Sequence, residues 1–251
     1  MPAARPRVRL LQIRERPAIL AEEQESFRVR CGLEPEQLVV TNVLRDPLPT
    51  SLLDGVDAVM IGGAGAYSVT QTFDWTPALL ALVQACADRA LPLFGSCWGH
   101  QFIARAFGGR VVNAPHRSEM GTHRVHLTQA GQTDALFGQL PPTFEAQMGH
   151  QDWVETLPAD AIELATNDRA PHQAFRMAGL PIYGTQFHSE LNATAERDRL
   201  VTYRAYYPEM QDDARFEAVV GGVRETPEVD ALLATFLATY VAPEVRSSPV
   251  S

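Results

Sequence analysis

Apolar residues along this chain fall into short runs separated by stretches of helical spacing. Residues 8–13, 37–43, 57–61 and 91–94 read as strands, the third nearly all apolar, as a strand buried on both faces should be. Residues 17–30 read as a helix with Pro17 in its first turn. Asp74 or Thr76 is placed to cap a second helix with Pro77 near its start, running to about Arg89. A third covers residues 99–107 and is stopped by Gly108-Gly109. Strands alternating with helices predict an α/β fold: a doubly wound, mostly parallel sheet with flanking helices.

The texture changes after residue 110. Short alternating runs at 122–127, 143–148, 163–166, 173–177 and 181–187 predict a small antiparallel annex with a final central strand. Amphipathic helices follow at 193–207 and 228–240, with a short helix and loops between them. The whole reads as a single domain, with a core at about 8–190 and a helical extension at 191–251. The tail from Ser247 to Ser251 is expected to be disordered.

Composition narrows the function classes. The 251 residues are 45% hydrophobic and 20% charged, with a net charge of -9. That balance gives no support to a nucleic-acid or anionic-membrane partner, and the one basic cluster is Arg5, Arg7 and Arg9. No apolar run approaches the ~20 residues a membrane span needs, and no signal peptide is read. Three cysteines without zinc spacing argue against a disulfide framework and for a cytoplasmic setting, with no metal expected.

The chemistry concentrates at GSCWGHQ, Gly95 to Gln101, between a predicted strand and a predicted helix. A strand ending in Gly-x-Cys-x-Gly and turning straight into a helix has the form of a nucleophile elbow. Such a turn presents its side chain at the carboxyl end of the sheet, where open α/β sheets bind ligands. The helix N-terminus there favours negative charge. The competing reading of Cys97 is a small buried hydrophobe. A thiolate nucleophile needs a base and the base an orienting group. In YGTQFHSE, Tyr183 to Glu190, His188 and Glu190 stand two apart in extended chain and point the same way. IGGAGAYS, Ile61 to Ser68, is a glycine-rich loop leaving the third strand. It can supply an oxyanion donor; a phosphate loop is the rival, but the spacing fits neither GxGxxG nor GxxxxGK[ST].

Taken together and in this order, IGGAG, GSCWGHQ and QFHSE resemble the class I (triad) glutamine amidotransferases, over roughly residues 8 to 190. MGHQDWV, Met148 to Val154, is similar to a stretch in the glutaminase part of GMP synthase. The resemblance implies the flavodoxin-like fold of that family. It implies Cys97 as nucleophile, His188 as general base and acid, and Glu190 as its orienter. The N–H groups of Gly63 and Trp98 would form the oxyanion hole. Gln101, Gln151 and Asp152 would hold the glutamine portion of the substrate. No cofactor is required. Two departures stand out: Ala64 where the family often has proline, and Trp98 after the cysteine.

Three functions follow as expectations. The first is a glutaminase that passes ammonia to a separate synthetase, since the length leaves no room for a synthetase domain and no P-loop is visible. The second is a free-standing hydrolase of γ-glutamyl amides or peptides. The third is a binding or regulatory protein with a residual triad. His100 is expected to be structural, Cys31 and Cys86 inert, and Tyr203, Tyr206 and Tyr207, at i, i+3 and i+4, to pack in the core.

Overall fold

The computed structural model describes residues 6–241; Arg5 and the tail at 247–251 lie outside them. Nine strands form one sheet and two form another. At the centre are β1 (Val8–Gln12), β2 (Leu38–Asn42), β3 (Ala58–Ile61), β4 (Leu93–Ser96) and β11 (Ile182–Thr185), all mutually parallel, in the order β2-β1-β3-β4-β11. The same sheet continues antiparallel through β10 (Ala174–Met177), β9 (Ala161–Thr166), β6 (Glu119–Leu127) and β7 (Thr143–His150). The expected α/β class and the central last strand are therefore present, and most of the antiparallel annex extends the main sheet rather than standing beside it. A separate pair, β5 (Arg110–Asn113) with β8 (Asp152–Thr156), makes the small antiparallel sheet. The periodicity showed neither strand.

The period-2 pattern explains why helices cover both faces. Val8, Leu10, Ala58, Met60, Phe94 and Tyr183 point to one side, where they meet Phe27 of α1 (Pro17–Arg30) and Phe236 of α7 (Leu232–Tyr240). The intervening residues Leu11, Val59, Ile61, Leu93 and Ile182 point to the other. There they meet Leu79 and Leu82 of α2 (Thr76–Asp88) and Phe102 of α3 (Trp98–Ala106). Arg30 pairs with Asp230 at 2.7 Å, joining α1 to the turn before α7. A third cluster, Met120, Ala193, Leu200, Met210 and Val223, seats α5 (Ala193–Tyr203) and α6 (Asp213–Gly222) against β6. Between β6 and β7 lies one short helix, α4 (Gln129–Thr133).

Several ends differ from the expected ones for local reasons. Neither Asp74 nor Thr76 caps α2; the N-cap is Trp75, and Thr76 Oγ1 instead accepts the N–H of Phe73 at 2.9 Å. Helix α5 stops at Tyr203 and tightens into a 3-10 turn at Arg204–Tyr206. The last helix begins only at Leu232, after a 3-10 turn at Pro227–Val229. Among the described residues no helix is long and apolar enough to cross a membrane.

The strand-to-helix turn after β4 depends on two glycines for space. A Cβ on Gly95 would land on the backbone of Gly99, and one on Gly99 would land on the carbonyl of Ile61. Gly99→Ala should therefore cost about 3 kcal/mol through forced backbone displacement. Thermal unfolding should register this as a midpoint lowered by roughly 6–12 °C. An unchanged midpoint would show that the turn does not need the close approach.

Candidate active site

Cys97 occupies the turn between β4 and α3 with φ +51° and ψ -100°. That is strained backbone for a residue with a Cβ, of order 1–3 kcal/mol, held only because its surroundings over-determine it. The Cys97 N–H donates to the carbonyl of Thr185 at 2.7 Å, fixing the turn to β11. The thiol is buried, with the Gly149 carbonyl 3.9 Å and Gln186 Nε2 3.8 Å from Sγ.

His188 comes to the thiol because β4 and β11 are paired neighbours, Ser96 opposite Thr185. The chain leaving β11 binds back through the His188 N–H to the carbonyl of Gln147 at 2.9 Å. The imidazole lies between two glycines: a Cβ on Gly63 would be 3.1 Å from its Cε1, and one on Gly149 would be 3.9 Å from its Nε2. Its Nδ1–H donates to Glu190 Oε1 at 2.6 Å. Burial opposes charge on this ring, but Glu190 and then Cys97 more than offset it and raise its pKa to about 10. Glu190 is buried too, yet His188, Arg199 and the Ser96 hydroxyl, which donates to Oε2 at 2.7 Å, lower it to about 2. The resting site therefore holds an imidazolium on a carboxylate, beside a sulfur that favours the ring's positive charge.

Behind this pair runs a buried ionic network. Arg14, at the end of β1, donates from Nε and Nη2 to Glu23 Oε1, both at 3.0 Å. Burial opposes its charge, and Glu23 and Tyr203 raise it above the ordinary arginine range. Arg199 of α5 reaches Glu22 at 2.9 Å, Glu23 at 3.6 Å and Glu190 at 3.5 Å.

Two cavities meet at Cys97. The outer one, about 560 Å³ and open to solvent, is lined by Trp98, Gln101, Gln151 and Asp152. The inner one, about 360 Å³, is lined by His188, Glu196, Tyr203 and Tyr207. They share Ala64, Gly65, Cys97, Gly149 and Tyr207. All eight residues singled out from the sequence thus lie around one sulfur, though not all are free to bind. Gln101 donates to the Asp152 carbonyl at 2.6 Å and to Gln186 at 3.1 Å. The Asp152 carboxylate accepts from Ser68 Oγ at 2.6 Å, the Val69 N–H at 2.9 Å and Asn113 at 2.7 Å, so it holds the glycine loop in place. Gln151 donates to Glu209 at 3.0 Å. The Trp98 ring stacks on Phe102 at 4.8 Å. The Trp98 N–H belongs to the first helical residue and has no acceptor within the helix.

The glycines of the loop act differently from the expectation. Gly62, Gly63 and Gly65 do not need positive φ. They need space: a Cβ at Gly62 would meet the Glu23 carboxylate at 2.9 Å, and one at Gly63 would meet Arg14 at 2.8 Å. At Gly65 it would strike the ring of Tyr203. Tyr203 and Tyr207 are also not simply core: both wall the inner cavity, and the Tyr207 hydroxyl donates to the Gly149 carbonyl at 3.3 Å. Tyr206 is 46% exposed. Ser96, Arg14, Arg199 and Glu196 were missed altogether. The only signal for Ser96 was its place in the elbow; for the others there was none, because their partners are distant in sequence. His100 is fully buried against Phe175, and burial pushes its pKa down to about 3. Burial likewise raises the Cys31 and Cys86 thiols, Cys86 to about 12.

The fold and this constellation define a class of protein, and comparison bears on it. The family model for glutamine amidotransferase class-I matches residues 32–205. The chain belongs to that family. The glutamine-hydrolyzing subunit of a GMP synthase from Thermoplasma acidophilum is 33% identical over 156 residues, covering 62% of this chain and 74% of that protein. The corresponding protein of Methanopyrus kandleri is 36% identical over 104 residues, 41% of this chain and 54% of its own. A crystal structure of a glutamine amidotransferase from Thermotoga maritima shares the fold, with a TM-score of 0.69 at 22% identity, covering 94% of this chain and 98% of that one.

The shifted groups predict a pH signature. The His188 pKa is raised, so its contribution to stability is full below about 6.5 and is lost as pH rises through about 10. Glu190 is depressed, so its contribution is full above about 4.5 and is lost as pH falls through about 2. The gap in thermal midpoint between the native protein and His188→Asn should be widest between pH 4.5 and 6.5 and should narrow toward pH 10. A pH-independent gap would contradict the ion pair.

Proposed function

We propose that this chain is a glutaminase: it hydrolyses the side-chain amide of glutamine to glutamate and ammonia, and the ammonia goes to a separate synthetase chain. The observation that carries this is Cys97 on a strained elbow beside His188, whose imidazolium is held by Glu190 at 2.6 Å. The family membership supports it, and relatives named as a separate subunit of a glutamine-hydrolyzing GMP synthase support a partner on another chain.

In this reading Cys97 Sγ attacks the amide carbon, and the carbonyl oxygen takes up the negative charge. The N–H groups of Gly63 and Trp98 donate to that oxygen. His188 gives its proton to the amide nitrogen, the C–N bond breaks, and ammonia leaves a γ-glutamyl thioester on Cys97. His188, now neutral, takes a proton from water; the hydroxide adds to the thioester, and glutamate departs as the thiolate reforms. Glu190 keeps the ring's orientation and stabilises the imidazolium at each stage. The outer cavity receives the glutamyl portion, its wall held by Gln101, Gln151 and Asp152. The chain works as one domain, its core at residues 8–190 and its extension from 191 closing the site.

Glutamate release from glutamine tests the reading. Cys97→Ala should lower the rate at least about 10³-fold and Glu190→Gln about 10²-fold, with the fold retained by circular dichroism. Addition of the acceptor synthetase should raise the native rate. Undiminished turnover by Cys97→Ala would end the proposal.

A further inference from the structure

The two cavities are chemically unlike, and the difference assigns the ends of the substrate. An amide carbon over Cys97 Sγ lies where they meet. His188 must protonate the leaving nitrogen, and His188 lines the inner cavity but not the outer. Gln101, Gln151 and Asp152 line the outer but not the inner. The glutamyl end therefore lies outward and the leaving group inward.

The inner wall carries a group that the triad does not use. Glu196, on the first turn of α5, is 2% exposed, and its Oε1 has no hydrogen-bond partner among the described residues. A buried, unpartnered carboxylate oxygen is costly and calls for a donor. The nearby arginines do not supply it. Three carboxylates, Glu22, Glu23 and Glu190, already answer Arg14 and Arg199. The surroundings of Glu196 are thus electrostatically suited to a cation or an N–H donor and hostile to an anion. Burial raises its pKa to about 7, with His188 and Arg199 pulling the other way, as expected of a carboxylate still waiting for its partner.

Resting on the glutaminase reading, we propose that the inner cavity is the leaving-group site and that Glu196 is its specificity residue. It accepts an N–H from departing ammonia or a small primary amine, and disfavours leaving groups that carry a carboxylate. Of the two hydrolytic readings of the sequence, this favours glutamine and γ-glutamyl alkylamides over γ-glutamyl peptides.

The test compares kcat/KM for glutamine, γ-glutamylmethylamide and γ-glutamylglycine in the native protein, Glu196→Gln and Glu196→Asp. Glu196→Gln should lose about tenfold with glutamine and methylamide while keeping or gaining activity on γ-glutamylglycine, with Glu196→Asp in between. A glutamine-to-γ-glutamylglycine preference that changes less than twofold overturns the assignment. A second readout needs no turnover. Methylammonium chloride, against a potassium chloride control, should slow alkylation of Cys97 by iodoacetamide in the native protein and not in Glu196→Gln. Absence of protection in the native protein also overturns it. The glutaminase reading fails separately: no glutamate is released, and 6-diazo-5-oxonorleucine leaves Cys97 unmodified. The alkylation experiment then still decides the cavity's preference.

Discussion

The parallel pairing of β4 with β11 is the constraint on which the site depends. These strands are far apart in sequence, yet Ser96 lies opposite Thr185 at the centre of the sheet. Both strands end at the same edge, so the residues that follow each of them must share one crevice. Cys97 follows one and His188 the other. The Cys97 N–H binds the Thr185 carbonyl, so the strained turn is anchored to the strand that delivers the base. Backbone strain at Cys97 is sustained by this anchor and by the contact of Gly95 with Gly99. The strain belongs to the sheet edge as a whole.

Charge balance is the second constraint. Glu190, Glu23 and Glu22 face Arg14 and Arg199 across the space between α1, α5 and the end of β1. Removing one member of such a buried network leaves another uncompensated, which costs far more than the network contributes as a whole. Glu190 is held from three sides, by His188, Ser96 and Arg199. Its charge therefore survives burial, and with it the charge on His188.

What could be read in the sequence follows from the range of each interaction. The central strands were legible because complete burial on both faces writes an apolar run, as in Ala58–Ile61. The elbow and the His-x-Glu pair were legible because their geometry is local: one turn, and two residues of extended chain. Strands β5 and β8 were not, since they are short and pair only with each other. Glu196 and Arg199 were invisible because their meaning depends on where α5 packs, and α5 carries only a weak apolar stripe; Leu200 and Ala193 seat it on β6. The glycines of the loop were found for the wrong reason. Sequence suggests conformational freedom, while the structure uses them for close approach to Arg14, Glu23 and Tyr203.

The division of labour around Cys97 follows the same lines. The nucleophile and base sit on consecutive ends of buried strands, where backbone hydrogen bonds fix them. The wall facing the leaving group comes from α5, which rests on a small satellite cluster outside the two main cores. Helix α5 nevertheless reaches the triad, because Arg199 contacts Glu190 from the same helix that carries Glu196. Glu196 and Arg199 are three apart and so share one helix face. One helix thus sets both the charge behind the base and the polarity in front of it. A displacement of α5 would alter leaving-group selection and the imidazolium together, while leaving the elbow and the outer cavity's Gln101–Asp152 wall where they are.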